Sequence, residues 1–287
     1  MGFEIQLTAM VVLAAVLHAT WNAMVKNSDD SLLTMALVMG TVSLLGGIAT
    51  FFVPVPREES WPLLAMSVLL HLAYQLILVQ AYRMGDLSQV FPIFRGIPPI
   101  LVAALSGLIA GEWLNLWQSL GVVVISMGVA SLALNRSMST PKDRAALAFA
   151  LGTALAITAY TFADGLGVRR SGDALGYAAW MFLFNGIPYV LIAAWVRGPA
   201  FWPFLRANWL VGGGAGVVAA TGFAIILWAF AQGALAPVAA LRETSVVFAA
   251  IIGTLVLKEP FGRQRILAAV LVAVGIVLLH WAQAAGR

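Results

Sequence analysis

Long apolar stretches alternate with short polar segments along the whole chain. Ten of the stretches are predicted to be helices that cross a lipid bilayer, because a crossing helix needs about 20 mainly apolar residues. The polar segment at 135–143, which contains Ser, Thr and Pro, is the predicted joint between two halves. The predicted spans are 5–25, 32–53, 61–82, 88–109, 115–134, 145–168, 174–196, 208–231, 236–256 and 264–283.

Two segments of the first half return in the second half in the same order. Gln80-Ala-Tyr-Arg-Met-Gly-Asp-Leu-Ser-Gln-Val returns as Trp228-Ala-Phe-Ala-Gln-Gly-Ala-Leu-Ala-Pro-Val. Ala110-Gly-Glu-Trp-Leu-Asn returns as Leu257-Lys-Glu-Pro-Phe-Gly. Arg95 and Arg242 are 147 residues apart in the sequence. A duplication of half the chain in so apolar a sequence is typical of transporters built from two related halves.

The number of spans in each half determines how the halves are related. Each half has five predicted spans, an odd number, so the second half enters the membrane from the opposite side. We therefore expect an all-α polytopic membrane protein with ten transmembrane helices, arranged as two inverted five-helix repeats around a central cavity. The repeats are predicted to be residues 1–137 and 138–287.

Composition agrees with a membrane protein and excludes several other classes. The chain is 62% hydrophobic and 10% charged, whereas a soluble domain carries about 25% charged residues. There is no Cys, which excludes disulfides, thiolate metal sites and cysteine nucleophiles. The first stretch lacks a basic leader and a small-residue cleavage site, so it is predicted to be a retained span. The net charge of +4 is modest, and nothing in its distribution indicates nucleic-acid binding.

The repeated segments resemble a known pattern over essentially the whole chain. The pattern comprises Ala81-Tyr-Arg-Met-Gly-Asp-Leu-Ser-Gln-Val-Phe-Pro, Gly111-Glu-Trp-Leu-Asn and Gly128, and then Ala229-Phe-Ala-Gln-Gly-Ala-Leu-Ala-Pro-Val, Lys258-Glu-Pro and Gly275. It resembles the EamA-type members of the drug/metabolite transporter superfamily, and among them most resembles the YddG-type aromatic amino acid exporters. The resemblance implies a basket of ten helices with a central cavity, in the plasma (inner) membrane of a bacterium, that moves small metabolites without ATP. Pro260 stands where the first copy has Trp113, so the two ends of the basket are expected to differ locally.

Polar and aromatic side chains within three predicted spans recur at helical spacing, and each set therefore lies on one helix face. Strongly polar groups inside a span seldom face lipid, because insertion at the centre costs about 2.5–3.5 kcal/mol for a charged residue. The faces predict a cavity for a small, partly apolar solute with a polar head; the alternative is that these groups hydrogen-bond to hold the helices together. The three faces are His18, Trp21, Asn22 and Val25; His71, Tyr74, Gln75, Leu78 and Tyr82; and Thr153, Ile157, Tyr160, Thr161 and Asp164.

Two arginines occupy equivalent positions near the starts of the fourth and ninth predicted spans. A guanidinium group at Arg95 or Arg242 would hold a substrate carboxylate through two parallel hydrogen bonds. The alternative is structural: Arg242 and Glu243 find local partners, or the arginines extend to the membrane interface. Trp180 and Trp228 lie deep in their spans and complete the prediction. The predicted substrate-binding residues are Trp21, Asn22, His71, Tyr74, Gln75, Leu78, Tyr82, Tyr160, Asp164, Trp180, Trp228, Arg95 and Arg242.

Glu112 and Glu259 both precede short turns between predicted helices. Their repetition indicates a shared architectural role, such as capping the N-terminus of a neighbouring helix, where a carboxylate meets free N–H groups. The alternative is a role in gating.

The distribution of Lys and Arg outside the spans leaves the orientation open. The excess of positive charge on one side favours both termini outside the cell, whereas the resemblance implies termini inside. One side holds Lys26, Arg83, Arg136, Lys142, Arg144, Arg197, Arg206, Lys258, Arg263 and Arg265, and the other holds Arg57, Arg169, Arg170 and Arg287.

The leading hypothesis is a secondary transporter that exports amino acids, aromatic and other neutral ones, by alternating access. The alternatives are export of another small metabolite or of a cationic drug-like compound, and, remotely, a membrane-embedded enzyme. Such an enzyme needs clustered carboxylates for Mg²⁺ or a His–Asp pair. The only paired acids in the sequence, Asp29-Asp30 and Glu58-Glu59, lie in predicted loops, which disfavours an enzyme. No catalytic residue, metal or cofactor is expected, and no phosphate-binding loop for ATP is present in the sequence. The expected partners are a small-molecule substrate and the bilayer, with the protein as a monomer or weak homodimer.

Overall fold

The computed structural model describes residues 2–25, 28, 30–84, 87–133, 141–255 and 263–285. Within these ranges all regular structure is helical. Short 3-10 turns lie at Glu58–Ser60, Ser131–Ala133 and Gly198–Ala200. The α-helices are α1 Gly2–Val25, α2 Ser31–Ala49, α3 Trp61–Met84, α4 Leu87–Ile109, α5 Leu116–Ala130, α6 Pro141–Arg170, α7 Ala174–Arg197, α8 Phe201–Gln232, α9 Leu235–Arg242, α10 Ser245–Leu255 and α11 Arg263–Ala285.

Six stretches of the described chain are long and apolar enough to cross a membrane. The last of them contains both α7 and α8, and α5 and the middle of α11 (Ile266–Leu279) are shorter apolar helices. The chain is therefore an all-helical, polytopic membrane protein, and the count of ten spans stays a prediction. The six stretches are Glu4–Val25, Ser31–Ala49, Glu58–Leu78, Val90–Ile109, Pro141–Arg170 and Ala174–Gln232.

The ninth predicted span, 236–256, is wrong as a single helix. It consists of α9 and α10, which are separated by Glu243 and Thr244. Here the N–H groups of Glu243 and Thr244 donate to the carbonyls of Ala240 and Leu241, which is the tighter i−3 pattern of a 3-10 turn. Apolar content alone predicted one helix because it does not register such a local change of backbone.

The helices pack in pairs that are related to one another by exchange of the two halves. α3 packs on α6 and α1 packs on α8; α4 packs on α6 and α1 packs on α10; α2 packs on α8 and α3 packs on α7. Three further pairs, α2 with α7, α5 with α11 and α4 with α9, each join equivalent helices. In this exchange α1 corresponds to α6, α2 to α7, α3 to α8, α4 to α9 together with α10, and α5 to α11. Exchanging each helix for its counterpart leaves this set of contacts unchanged.

Small residues bring the backbones of α5 and α11 together at two places. A Cβ atom added to Gly121 would lie 3.1 Å from the carbonyl oxygen of Gly275, and one added to Gly275 would lie 2.9 Å from that of Gly121. One added to Gly128 would lie 3.1 Å from the carbonyl oxygen of Ala268. Gly121 corresponds to Ala268, and Gly128 corresponds to Gly275, because each pair is 147 residues apart in the sequence. The contact between Gly121 and Gly275 therefore corresponds to the contact between Ala268 and Gly128 when the halves are exchanged.

The predicted capping role is confirmed for Glu112, and Glu259 lies outside the described residues. Gly111, at φ +69°, turns the chain after α4, in a backbone region that favours glycine. The Glu112 side chain then accepts a hydrogen bond from the N–H of Leu235, the first residue of α9, at 2.8 Å. Arg169 bonds the other carboxylate oxygen at 2.6 Å and also donates to the carbonyls of Phe230 and Gly233 at the end of α8.

Candidate functional site

Three charged side chains meet inside the bundle. Glu243 is fully buried, and Arg95 and Arg242 are almost completely buried. The Nε atom of Arg95 lies 3.4 Å from Oε2 of Glu243, and the Nε atom of Arg242 lies 3.3 Å from Oε1. The carboxylate of Glu243 thus pairs with the guanidinium groups of both Arg95 and Arg242.

The break between α9 and α10 places Glu243 in this cluster. Glu243 is the C-cap residue of α9, so its side chain leaves the chain at the point where one helix ends and the next begins. Arg242 precedes it in the last turn of α9, and Arg95 comes from α4, which packs against α9. Interrupted helices of this kind commonly form substrate sites in membrane transporters.

The cluster extends to α1 through His18 and Trp21. The Nη2 atom of Arg95 contacts Nε2 of His18. Since a guanidinium group can only donate, the histidine nitrogen accepts in this contact. Trp21 lies one turn along the same helix, with its Nε1 atom 3.3 Å from Nδ1 of His18 and its ring edge-on to the imidazole.

A second polar group lies where α3, α6 and α8 meet. The imidazole of His71 stacks on the ring of Tyr160 at a centroid distance of 4.1 Å, and the ring of Phe223 packs edge-on against it. The Ser67 hydroxyl donates to Oδ1 of Asp164. Oδ2 of Asp164 lies 3.8 Å from Nε2 of His71.

Tyr160 connects the two groups. The guanidinium carbon of Arg242 lies 5.9 Å from the centre of the Tyr160 ring, within the range of a cation–π contact. His71 stacks on that ring, and Tyr74 packs edge-on against it at 5.7 Å. A continuous series of contacts therefore runs through the bundle and includes helices of both halves. Its members are Trp21, His18, Arg95, Glu243, Arg242, Tyr160, His71, Asp164 and Ser67.

Several buried polar atoms of this series have no hydrogen-bond partner. They are Nη2 of Arg242, Nε2 of His71 and Oδ2 of Asp164, and also Oε2 of Glu243, which makes no hydrogen bond but lies 3.4 Å from the positively charged Nε of Arg95. Buried polar groups in proteins are nearly always paired, and leaving one unpaired costs about 1–3 kcal/mol, more for a charged group. The series therefore contains an unpaired donor, on Arg242, and unpaired acceptors, as expected where a polar molecule is bound.

The net charge of the series depends on whether Asp164 is protonated. Arg95 and Arg242 carry two positive charges, and Glu243 and Asp164 carry two negative charges when both are ionised. The sum is then zero, and it becomes +1 when Asp164 holds a proton. Because charges are poorly screened away from water, this difference is felt by any charged solute at the site.

The structure brings together seven of the thirteen residues predicted for the site: Trp21, His71, Tyr74, Arg95, Tyr160, Asp164 and Arg242. The side chain of Tyr82 is not among those described. The sequence interpretation missed Ser67, a member of the series, and Phe223, which packs against His71. His18 and Glu243 are members too; the sequence analysis named them, but not among the predicted substrate-binding residues. Ser67 precedes His71 by one helical turn on the predicted third-span face, so the helical spacing contained the signal for it.

Five of the predicted residues lie elsewhere or contact other groups. Asn22 donates to the carbonyl of His18 in its own helix, and Gln75 points to Met39 of α2. Trp180 packs between Trp61 and Phe184. The other two, Leu78 and Trp228, pack against apolar core residues.

A groove on the outside of the bundle is separate from this series. It has a volume of about 450 Å³, lies between α2 and α8, and contains none of the predicted residues. It is lined by Leu37, Trp202, Leu205, Arg206 and Trp209.

The sequence matches a known protein family over part of the chain, and the fold resembles that of solved structures. Residues 144–281 match the model of the EamA-like transporter family, which agrees with the resemblance of the repeated segments over that part of the chain. No curated protein matches the sequence. Among 29 matching chains of solved structures, one described as "Crystal structure of protein" has a TM-score of 0.78 and 16% identity, with 96% of this chain and 97% of that chain covered. The likeness to that structure shows the fold alone.

Proposed function

We propose that this protein is a secondary membrane transporter of the EamA type that exports amino acids, aromatic and other neutral ones, by alternating access. The match of residues 144–281 to a transporter family and the apolar helices support transport of a small solute across the membrane. The paired packing of the helices supports two inverted repeats of five helices, 1–137 and 138–287, which enclose the site. The membrane is the plasma (inner) membrane of a bacterium in this proposal, as the resemblance to the YddG-type exporters implies.

The observation that carries the proposal is the buried pair of guanidinium groups that share Glu243. Nη2 of Arg242 is buried without a partner, and a substrate carboxylate would supply one. Charge-assisted bonds from a guanidinium group to a carboxylate are short and strong, and they fix the orientation of the bound group. A carboxylate is also the group that all amino acids share, so this contact would serve several side chains.

The aromatic residues next to Arg242 account for the other part of the substrate. Tyr160 lies next to Arg242, and His71 and Tyr74 pack against Tyr160; Trp21 reaches Arg95 through His18. Aromatic pairs contribute about 0.5–1.5 kcal/mol beyond the burial of their area, so a phenylalanine or tryptophan side chain is favoured over a small one. The site would lie at the junction of the two repeats, where alternating access exposes it to each side in turn.

Flux from liposomes tests the proposal. Purified protein is reconstituted into liposomes that are loaded with labelled phenylalanine, tryptophan, threonine or leucine, and efflux is compared with that from protein-free liposomes. Faster efflux of at least one of them is expected. Equal efflux for all four would refute the proposal.

The role of the carboxylate is tested with matched solutes and variants. Phenethylamine, which lacks the carboxylate, should be carried at least tenfold more slowly than phenylalanine. Arg242→Gln should slow phenylalanine efflux about tenfold, because a hydrogen bond to a charged group contributes about 1.5–3 kcal/mol and 1.4 kcal/mol corresponds to a factor of ten. Arg206→Gln, in the outer groove, is the control and should leave the flux unchanged. Trp21→Ala, Tyr74→Ala and Tyr82→Ala should slow transport while the protein still folds.

A further inference from the structure

The partners of His71 determine where its proton lies. Nδ1 of His71 is 3.0 Å from the carbonyl oxygen of Ser67, and a carbonyl can only accept. The Ser67 hydroxyl is 3.2 Å from the same nitrogen, but its single hydrogen is donated to Asp164. Nδ1 of His71 is therefore the protonated nitrogen.

Two acceptors consequently face each other in the interior. Nε2 of neutral His71 carries a lone pair, and it lies 3.8 Å from Oδ2 of Asp164. Both atoms are buried and have no hydrogen-bond partner, and the Asp164 side chain is fully buried. Two lone pairs in this position repel each other. A proton on either atom would turn that atom into a donor that faces the other acceptor and would remove the repulsion.

An ammonium group would satisfy the same two atoms. A hydrogen-bonded nitrogen sits about 2.9 Å from its acceptor, so an ammonium group can donate to Nε2 and Oδ2 together when these are 3.8 Å apart. Asp164 follows Tyr160 by one helical turn, and Arg242 lies over the Tyr160 ring. An amino acid carries its carboxylate and ammonium groups on one carbon atom, so a zwitterion bound to Arg242 beside Tyr160 would present its ammonium group to the Asp164–His71 pair.

We propose that the Asp164–His71 pair is the coupling site of the transporter, where a proton and the substrate ammonium group compete for one position. Binding of the amino acid expels the proton from the pair to the solvent on one side of the membrane. After the substrate has left on the other side, the pair takes up a proton from that side and carries it back. One proton and one amino acid therefore cross in opposite directions in each cycle. This inference rests on the proposed function and specifies its energy source.

The charged groups around the Asp164–His71 pair favour the binding of one positive charge there, either a proton or an ammonium group. Tyr160 of α6 stacks on His71, and Tyr74 of α3 packs against Tyr160. Tyr177 of α7 and Arg242 of α9 interact electrostatically with Asp164, and Arg95 of α4 and Glu243 at the end of α9 interact with Tyr160. α8 contributes Phe223, which does not titrate, and Glu58 and Glu59 are at an exposed turn before α3. Among the described groups, the guanidiniums and Glu243 keep a charge of +1, so either a proton or an ammonium group at Asp164 leaves that charge to hold the substrate carboxylate.

Proton release by the wild-type protein tests the inference without any substitution. Phenylalanine, tryptophan, threonine and leucine are each added to detergent-solubilised protein in weak buffer with a pH indicator, while binding is followed by calorimetry. About one proton should be released for each amino acid bound. Binding without proton release would overturn the inference and leave the proposed function intact, whereas the absence of any binding would count against both.

Asp164→Asn identifies the group that releases the proton. Its amide oxygen still accepts from Ser67 and its NH₂ group donates to Nε2 of His71, so it imitates the protonated pair and should fold at least as stably as the wild type. In liposomes with an acidic interior, the wild type should accumulate phenylalanine above its external concentration, and the variant should not accumulate it. Asp30→Asn, the same chemical change at the edge of the bundle, is the control and should accumulate it like the wild type. Accumulation by the Asp164→Asn variant, or wild-type flux that ignores the pH gradient, would overturn the inference; no flux at all would instead refute the proposed function.

Discussion

Arg95 and Glu243 form a buried ion pair with 3.4 Å between Nε and Oε2, although 148 residues separate them in the chain. The pair connects the middle of α4 to the break between α9 and α10, which are equivalent elements of the two halves. Any change in the relative position of the halves therefore alters the contacts of Glu243. A site built on this pair responds to rearrangement of the two halves, as alternating access requires.

The first prediction concerns the stability that Glu243 provides. Glu243→Gln leaves two buried guanidinium groups without a counter-charge, and removing one partner of a buried ion pair costs about 3–5 kcal/mol. Arg95→Met should cost less, because Arg242 still pairs with Glu243. Unfolding in detergent, followed by circular dichroism, measures both changes.

The double variant shows whether these costs are due to the pair. Arg95→Met with Glu243→Gln should be less destabilised than the sum of the single changes, with a coupling of about 0.5–3 kcal/mol. Glu59→Gln, at an exposed position, should lie within about 0.5 kcal/mol of the wild type. Strict additivity of the two single changes would contradict the ion pair.

The second prediction concerns the close contact of α5 and α11. A Cβ atom at Gly275 would lie 2.4 Å from Cγ1 of Ile125 and 2.9 Å from the Gly121 carbonyl, so Gly275→Ala should destabilise the protein by about 1–3 kcal/mol through overpacking. Gly213→Ala is the control, because its added methyl group meets nothing nearer than Thr41 at 3.8 Å. That change should be neutral or stabilise by up to about 1 kcal/mol through helix propensity. Equal stability of the two variants, measured by thermal unfolding, would argue against close packing at Gly275.

The sequence predicted the helical class and the ends of most helices, because long apolar runs are a strong signal and Gly and Pro mark their limits. It also predicted that Glu112 caps a neighbouring helix, which the structure confirms. Arg242 pairs with its neighbour Glu243, as the structural alternative expected, and the binding of a substrate carboxylate by Arg95 or Arg242 stays a prediction. The break at Glu243 and Thr244 was missed, since hydropathy averages over it.

The sequence did not predict which residues of different helices contact each other. Spacing places Gln75 and Tyr160 on helix faces, and depth in its span singled out Trp180, but neither gives the rotation of one helix against the next. Trp180 and Gln75 face other partners, whereas Tyr160 joins the central series. The pairing of His71 with Asp164, 93 residues later in the chain, could likewise be recognised only in the folded protein.

The third prediction separates two functions of Glu112. Glu112→Gln keeps an oxygen that accepts from the N–H of Leu235 but loses the ion pair with Arg169. Glu112→Ala loses both, and loss of a helix N-cap costs about 0.5–2 kcal/mol. We therefore expect Glu112→Ala to unfold at a lower temperature than Glu112→Gln. If the two variants unfold together, the cap on α9 contributes nothing measurable.

The fourth prediction concerns Asp30, which precedes α2 and caps it by accepting from the N–H groups of Leu32 and Leu33. Arg197 binds the same carboxylate, with Nε 2.7 Å from Oδ2. Burial raises the pKa of Asp30, but the bonds from Arg197 and from the two amides outweigh it, so the pKa is lowered overall. The stabilisation by the charged form is therefore complete above the ordinary pKa of about 3.9, and it is lost as the pH falls through the lowered value.

Two variants separate the charge of Asp30 from its capping role. Asp30→Asn retains a good N-cap residue but has no charge, so its unfolding temperature should be below that of the wild type at pH 7, and the two should converge in strong acid. Asp30→Ala also loses the cap, and it should be less stable than Asp30→Asn by about 1 kcal/mol at every pH. Thermal unfolding between about pH 2 and pH 7 measures both differences, since the charge effect is lost below the ordinary pKa. A gap between the wild type and Asp30→Asn that does not close in acid would mean that the carboxylate charge is not its source.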